Sequence, residues 1–353
     1  MSSKPVGIKD VAAAAGVSVT TVSQVLNNVA YARVGAETRD RVRQAASRLG
    51  YGPNRLARAL RTRRSGVIGV ICEEIATVPD AGRVILGSDE AARRRGYNIM
   101  LISSVATGSD GPSESDVAEL LDRKVDGVLY VASGRRALRL PTRLTGLPAV
   151  LVDADDVADT LPSVKPDRPG GVRLAVTALT DAGHTRVGML NTSDEDPARQ
   201  STLHAFQDTL ADDGLEFRGD LVQSGPSTAA GGYAAALRLL KLENPPTAVF
   251  CFNDAMAMGL YRAAAEMGLT IPGALSVVGF GNQEMIAGNL HPALTTVELP
   301  RYAMGARAAE HLIDAVEGTP GTRTARQAVL ECTLVQRDSV GPVPLNRGVT
   351  PWA

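Results

Sequence analysis

The stretch Lys9–Asn27, KDVAAAAGVSVTTVSQVLN, contains two short helical patterns separated by Gly16-Val17-Ser18. The apolar residues before the break follow the i, i+3, i+4, i+7 spacing of a helix with one apolar face. Gly16 can take the left-handed conformation that ends a helix, and the hydroxyl of Ser18 can cap a second one. The break therefore predicts a supporting helix and a second helix, Val19–Asn27, whose N-terminal end and outer side are free to enter a groove.

A third helical pattern follows in AETRDRVRQAASRLGY, where Val42, Ala45, Ala46 and Leu49 share one face and Gly50 ends the pattern. The first 65 residues hold twelve Lys/Arg against three Asp/Glu, although the whole chain carries a net charge of −1. The remainder is therefore acidic, and the basic head is suited to a polyanion. Three small helices rich in arginine predict a DNA-binding helix-turn-helix unit; an ordinary helical bundle with a charged, solvated face is the alternative.

Length and composition narrow the class of protein. A chain of 353 residues has room for two or three domains. The N-terminus lacks the apolar core of a secretory signal, and no apolar run approaches the roughly 18 residues of a membrane span, so we expect a cytoplasmic protein without membrane contact. Its cysteines are isolated and its histidines lack ligand spacing, so we expect no disulfide, metal or cofactor. No phosphate-binding GxxxxGK[ST] loop and no nucleophile with its base is recognisable, so an enzyme is not expected.

From Gly66 onward, strand-like apolar runs alternate with helical patterns. GVIGVIC, YNIMLIS, DGVLYVA and PAVLV form one series of strands, and RVGML, TAVFCF and SVVGF form a second. Nearly continuous apolar strands indicate parallel sheets covered on both faces by helices. The fold class predicted is thus an all-α helix-turn-helix head followed by an α/β body of two doubly wound parallel-sheet lobes. In such a body a ligand binds at the carboxyl edges of the strands, in the cleft between the lobes.

The head segments GIKDVAAAAGVSVTTVSQVLN and ETRDRVRQAASRLGYGPNRLARALRT, followed by GVIGVI, resemble the lactose repressor (LacI/GalR) family of transcription regulators. A weaker resemblance continues through GHTRVGML, FNDAMAMGLYRAAAEMGLTIPGALSVVGF and LVQRDS. The body is similar to a periplasmic sugar-binding protein, which raises a rival function as a solute receptor for a transporter. The missing signal sequence and the basic head argue against that rival. The resemblance implies an operator-binding regulator, by default a repressor, controlled by a small molecule.

The resemblance also implies a domain plan and a homodimer on a pseudo-palindromic double-stranded DNA operator. The tail has three prolines and no apolar heptad, so a coiled-coil tetramer is not expected. The predicted segments are a head at 1–52, a hinge helix and linker at 53–65, a body at 66–340 and a flexible tail at 341–353. Within the body, the first lobe is predicted at about 66–165 and 299–323, and the second at about 166–290 and 328–340.

In the family that the head resembles, the positions matching Val19, Thr20 and Gln24 touch base edges in the major groove. Glutamine can pair bidentately with adenine, so Gln24 is predicted to read an A·T pair. Thr21 and Ser23 are either phosphate contacts or polar residues of the helix surface. The predicted DNA-binding residues are Val19, Thr20, Thr21, Ser23, Gln24 and Asn27 of the head, with Asn54, Arg58, Leu60 and Arg61 of the hinge.

The hinge, Pro53–Ser65, opens at Asn54 and is too short to be stable as an isolated helix, so it is predicted to fold on binding. The resemblance implies that Leu60 wedges between base pairs in the minor groove, with Arg61 nearby. A plain basic linker is the alternative. The loop around Tyr31 is about two residues longer than is usual in the family, and its role is open between backbone contact and a tolerated insertion.

The predicted effector site departs from the family pattern. Asp153 and Asn253 match positions that bind effectors in relatives, although Asn253 can instead cap the following helix. Thr202 stands where relatives often have arginine, and Gly281 followed by Asn282 stands where they often have aspartate; Leu299 replaces a polar residue. A pocket without a fixed cation makes an ordinary sugar a doubtful effector. Glu73, Glu74 and Thr77 are either replacement contacts or plain surface residues. The predicted effector-binding residues are Glu73, Thr77, Asp153, Thr202, Asn253 and Asn282.

Overall fold

The computed structural model describes residues 6–26, 33–51, 64–73, 75, 81–104, 111–194, 197–318 and 326–343. By its internal contacts the chain divides into two units, Met1–Ser65 and Gly66–Ala353. In the part of the chain described, no helix has the length and apolar character needed to cross a membrane.

The described residues of the head form three helices, α1 (Ile8–Ala15), α2 (Val19–Leu26) and α3 (Ala36–Arg48). Gly16 ends α1 with a φ of +63°, a conformation that glycine adopts without steric cost. At the start of α2, the Thr21 amide donates to Ser18 Oγ at 3.0 Å, so the serine caps the helix as predicted. The predicted inner faces meet in one small core, which consists of Val11, Ala12, Ala15, Val22, Val25, Val42, Ala45 and Ala46.

The body contains two six-stranded sheets, and each buries its central strands as the apolar runs predict. All pairings in the first sheet are parallel, in the order β11-β5-β4-β3-β1-β2. Its strands are β1 (Val67–Glu73), β2 (Asn98–Ser104), β3 (Gly127–Leu138), β4 (Ala149–Asp156), β5 (Ser163–Pro166) and β11 (Gln327–Leu330).

The second sheet has the order β12-β10-β9-β8-β6-β7 and is parallel except at its edge, where β12 runs antiparallel to β10. Its strands are β6 (Val187–Thr192), β7 (Val222–Gly225), β8 (Ala248–Cys251), β9 (Ser276–Gly281), β10 (Thr295–Glu298) and β12 (Thr333–Val335).

Helices cover the sheets, and each sheet with its helices forms one lobe. The helices of the first lobe are α4 (Ala81–Arg94), α5 (Glu114–Asp122) and α10 (Arg301–Glu317). Those of the second lobe are α6 (Arg168–Thr180), α7 (Pro197–Asp212), α8 (Ala229–Leu240) and α9 (Asp254–Glu266).

Along the elements that the structure describes, the chain crosses between the lobes three times, after β5, after β10 and between β11 and β12. Two predicted boundaries are wrong. The second lobe does not resume at 328, because Ala328 of β11 pairs with Val164 of β5 in the first sheet. The tail does not begin at 341, because the Gly341 amide donates to Ser276 Oγ at 3.0 Å and so extends the body. Residues 344–353 of the predicted tail lie outside the described residues.

Helices α4 and α10 approach each other at two glycines. A Cβ atom on Gly87 would lie 2.0 Å from the carbonyl oxygen of Tyr302, and one on Gly305 would lie 1.9 Å from the carbonyl oxygen of Val84. Both distances are far below van der Waals contact, so these positions exclude any larger residue at the present helix spacing. Because α10 directly follows the second crossover, this close packing fixes where Arg301, its first residue, lies at the carboxyl edge of the sheet.

Candidate DNA interface and ligand cleft

The N-terminal end of α2 presents the side chains that the sequence selects for base contact. Val19 is 40% exposed, Thr20 is exposed, and Gln24 is half-buried one turn further along the helix. The Thr21 hydroxyl lies 2.9 Å from Ser18 Oγ, so it also holds the start of the helix. Val19, Thr20 and Gln24 therefore remain free to reach a groove, and Thr21 and Ser23 are half-buried beside them.

Several predicted DNA contacts cannot be compared with the structure. Asn27 at the end of the helix and the hinge residues Asn54, Arg58, Leu60 and Arg61 lie outside the described residues, as does Tyr31 in the longer loop. Their roles stay predictions.

In the body, a small cavity of about 70 Å³ is lined by the last residues of β1 and β5 and by the residues of β3 and β4 next to the break in their pairing. Glu73 and Asp153, two of the predicted effector residues, both line it. Glu73 is 1% exposed, and the hydroxyl of Tyr130 donates to its Oε1. The structure thus brings together Glu73, a buried carboxylate that already accepts a hydrogen bond, and Asp153, a second carboxylate that lines the same cavity.

Asp153 has an unusual backbone and an unsatisfied oxygen. Its φ is +56°, and it lies where the pairing of β3 with β4 breaks, between the pairs Val131–Val152 and Arg136–Ala154. Its buried Oδ1 has no hydrogen-bond partner in the described part of the chain. Bulges and left-handed non-glycine residues cost free energy and concentrate at binding sites, where they aim a side chain.

A larger cavity of about 670 Å³ adjoins the carboxyl end of β9 and shares Leu299 and Arg301 with the small one. Its volume falls in the range of about 300–1,000 Å³ typical of small-molecule sites. Asn282 lines it. The two cavities, at the facing edges of the two sheets, are here called the cleft.

Asn282, like Asp153, adopts a left-handed backbone, with a φ of +47°. Two neighbours hold it there. Arg337 Nη2 donates to Asn282 Oδ1 at 2.8 Å, and the Asn282 amide faces Thr296 Oγ1 at 3.4 Å. Arg337 also donates from Nη1 to the Leu294 carbonyl at 2.7 Å. The asparagine side chain is therefore fixed before any ligand arrives.

The residues on either side of Asn282 are fixed as well. The Gln283 amide donates at 2.6 Å to Oδ2 of Asp254, a carboxylate that is 0% exposed. Arg301 Nη1 donates at 3.0 Å to the Gly281 carbonyl, which links the first helical residue after the second crossover to the end of β9. This turn is consequently a rigid part of the cleft wall and is tied to both lobes.

The chain is similar to proteins of known class. The profile for bacterial regulatory proteins of the lacI family matches residues 7–54, and that for a periplasmic binding protein-like domain matches residues 176–340. The HTH-type transcriptional regulator MalR of Streptomyces coelicolor is 37% identical over 97% of this chain and 98% of its own length. The chain belongs to the lacI family. Another relative in the family, the HTH-type transcriptional repressor PurR of Vibrio vulnificus, is 30% identical over 94% of this chain and 98% of its own.

Solved structures of lacI-family regulators share the fold. The lac repressor dimer bound to operator and the anti-inducer ONPF superposes with a TM-score of 0.73 at 26% identity, covering 96% of this chain and all of the other. A complex of the regulator CelR with cellobiose gives 0.64 at 28% identity, covering 95% and 99%. This lacI-family chain is therefore a DNA-binding transcriptional regulator with a ligand-binding body, and its named relatives are regulators, not enzymes.

Three further predicted effector residues of this lacI-family regulator are not among the described residues that line the cleft. Asn253 caps α9, since its Oδ1 accepts from the Met256 amide at 2.7 Å, and its Nδ2 donates to the Ser227 carbonyl at 2.9 Å. The capping alternative is thus confirmed. Thr202 is 1% exposed in α7 and lines neither cavity of the cleft. Thr77 lies outside the described residues. The effector roles of all three stay predictions.

The expectation that the cleft lacks a fixed cation is wrong. Arg301 lines both cavities and Arg337 lines the larger one. The resemblance placed the expected cation at Thr202 of α7, whereas the cations of the cleft come from the start of α10, after the second crossover, and from the segment after β12. The available signal was position in the sequence, since Arg301 directly follows LTTVELP, residues 294–300, and Arg337 lies inside the motif LVQRDS.

Proposed function

We propose that this lacI-family regulator is a homodimeric repressor that binds a two-fold, pseudo-palindromic operator, and that a small molecule in the cleft controls operator affinity. The observation that carries the ligand half of the proposal is the placement of Asp153 and Asn282. One residue from each sheet edge has a left-handed backbone and faces a cavity, and the two cavities share Leu299 and Arg301. Paired strained residues at facing edges support a site that senses the angle between lobes.

The DNA half is supported by the free N-terminal end of α2. A helix-turn-helix unit reads one half-site, so a two-fold dimer is needed to read an inverted repeat. The body offers apolar surface for such a dimer. Leu86 of α4 is 48% exposed and Met258 of α9 is 37% exposed. Burying exposed apolar side chains between two copies is favourable, which supports self-association through both lobes.

The coupling acts through the crossovers. A ligand that contacts Asp153 from one side and Asn282 from the other favours one angle between the lobes. Allosteric coupling of this kind typically changes binding free energy by about 1–3 kcal/mol, and it must be reciprocal. Operator DNA should therefore change effector affinity by the same factor as effector changes operator affinity.

Selection of bound DNA from a random pool tests the proposal. We expect an inverted repeat to be recovered, and a metabolite panel then to yield a compound that shifts its affinity. Asp153→Asn should keep operator affinity and lose the response to that compound. Arg123→Met, on an exposed helix end outside the cleft, is the control and should keep both. Ligand binding without recovery of any preferred DNA sequence would favour the solute receptor.

A further inference from the structure

Arg168, the first residue of α6, is a buried cation without an acceptor. It is 9% exposed, and its guanidinium carbon lies 5.0 Å from the ring centre of Phe280 and 5.8 Å from that of Phe252. Its buried Nε has no hydrogen-bond partner, and no carboxylate pairs with the guanidinium among the described residues. The two aromatic faces attract the charge but offer no acceptor for the N–H groups in the guanidinium plane.

Within the part of the chain that the structure describes, the Nε–H of Arg168 is buried without an acceptor, and such a donor costs free energy. Buried arginines are almost always paired, because their N–H donors lose water on burial and need another acceptor. An unpaired one that is nevertheless held between two rings is a preformed donor. Arg168 lines neither cavity but borders both: Pro166, two residues before it, lines the small cavity, and Gly281, which follows Phe280, lines the larger one. The donor therefore lies at the border of the cleft.

Asp153 is the complementary group on the first lobe, because its buried Oδ1 lacks a donor. Both charges act on the thiol of Cys332. Burial is the main cause that raises the pKa of this thiol to about 11; Arg168 lowers the pKa, and Asp167 and Asp153 raise it. Cys332 in turn packs against the first turn of α6, since a Cβ on Gly171 would lie 3.1 Å from Cys332 Cβ. Arg168 and Asp153 therefore flank Cys332 without forming an ion pair.

We propose that the effector carries a carboxylate that Arg168 binds and, a few bonds away, a hydroxyl or ammonium group that donates to Asp153. This inference rests on the proposed function, because it names the ligand of the same cleft. The guanidinium fork matches a planar carboxylate bidentately, and a low-dielectric site strengthens such charge-assisted bonds. Hydroxy acids, including sugar acids, and amino acids share this chemistry, whereas a neutral sugar leaves Arg168 without an acceptor.

The first test needs no ligand. Arg168→Met keeps the stem of the side chain and removes the unpaired charge, so we expect the melting temperature of the free protein to be unchanged or raised. Arg173→Met is the matched control, because Arg173 lies on the same helix with its side chain 64% exposed. A fall of more than about 3 °C for Arg168→Met relative to this control would show that the arginine serves packing, and would overturn the proposal.

The second test measures recognition by calorimetry with matched probes: gluconate beside glucitol, glucuronate beside glucose, and alanine beside alaninamide. We expect at least one acid to bind the wild-type chain at least about tenfold more tightly than its counterpart without the carboxylate. The preference should vanish in Arg168→Met and persist in Arg173→Met. The probe pair that shows this preference indicates whether the effector is a sugar acid or an amino acid.

Asp153→Asn should weaken the binding of both members of that probe pair by the same factor. Both members carry the hydroxyl or ammonium group that donates to Asp153. Binding of no acid in the panel, or a preference that survives in Arg168→Met, would overturn the inference. If a probe without a carboxylate instead bound and shifted operator affinity, the proposed function would stand and the inference of a carboxylate-bearing effector would fail. If an acid bound as expected and operator affinity did not change, the inference would stand and the proposed function would fail.

Discussion

Arg337 fixes Asn282 in the cleft wall: the guanidinium Nη2 donates to Asn282 Oδ1 at 2.8 Å while the asparagine backbone stays at a φ of +47°. The same guanidinium binds the Leu294 carbonyl at 2.7 Å. One cation from the segment after β12 thereby connects a residue predicted to bind effector with the chain that precedes β10.

Arg337→Met removes both of these charge-assisted hydrogen bonds, and it should lower the free energy of unfolding by about 1.5–3 kcal/mol. Urea unfolding of Arg337→Met, Asn282→Gly and the double variant measures the interaction directly. We expect a coupling energy of about 0.5–3 kcal/mol between the two sites, because glycine keeps the backbone conformation but removes the acceptor. Strict additivity would contradict the role of Arg337. Arg123→Met, whose side chain is 56% exposed, is the control and should stay within about 0.5 kcal/mol of wild type.

Gln24→Ala should remove base discrimination at one position of each half-site. A bidentate glutamine–adenine contact contributes about 1–3 kcal/mol of preference for A·T over the other pairs. Binding titrations against four operators that differ only at that position measure it. Thr21→Ala is the matched control on the same helix, and it should weaken all four operators equally, since its hydroxyl contacts Ser18. An unchanged preference in Gln24→Ala would contradict the assignment.

Gly305→Ala should destabilise the body by about 1–3 kcal/mol or more, because the added Cβ would lie 1.9 Å from the Val84 carbonyl and force α4 and α10 apart. Gly82→Ala in α4 is the control, as a Cβ there meets nothing within 4 Å. It should stabilise by about 0.5–1 kcal/mol, through helix propensity alone. Urea midpoints of the two variants should shift in opposite directions; equal shifts would count against the close helix contact.

Stability should fall below about pH 6.5 through His184. Burial is the main cause that lowers the pKa of this imidazole from its ordinary 6.5, and the Gly341 carbonyl acts in the opposite direction. The unfolded chain therefore takes up the proton first. The stability that neutral His184 contributes is fully present above about pH 6.5 and is lost as the pH falls through the lower folded-state pKa.

Urea unfolding between pH 8 and pH 5 measures this effect. His184→Gln should be less stable at pH 8, since it loses the ring contacts to Thr247 and Ser276, both at 2.9 Å, but its stability should fall less steeply with acid. His204→Gln, at an exposed position, should keep the wild-type slope. His311, whose pKa burial also lowers, contributes equally in all three chains. Parallel curves for wild type and His184→Gln would refute the assignment.

Local sequence patterns were sufficient to predict the helices of the head and the architecture of the body. Gly16 and Ser18 determine where α1 ends and α2 begins, because a left-handed terminus and a hydroxyl cap depend only on residues a few positions apart. Apolar periodicity likewise predicted the α/β body with its two parallel-dominated sheets. Asp153 was found from its position after the apolar run PAVLV, although β4 continues to Asp156. Asn282 was found from its position just after an apolar strand, since parallel strands place such residues at one sheet edge.

The contacts within the cleft depended on the tertiary structure. Arg168, Arg301 and Arg337 come from three separate segments, and no local pattern shows that a crossover brings a cation to the opposite sheet edge. The side-chain periodicity that marks a helix or a strand extends over a few residues only. The sequence by itself therefore determined the elements, the two-sheet architecture and the exposed N-terminal end of α2, whereas only the folded chain decided which charges of the cleft are paired and which stay unpaired.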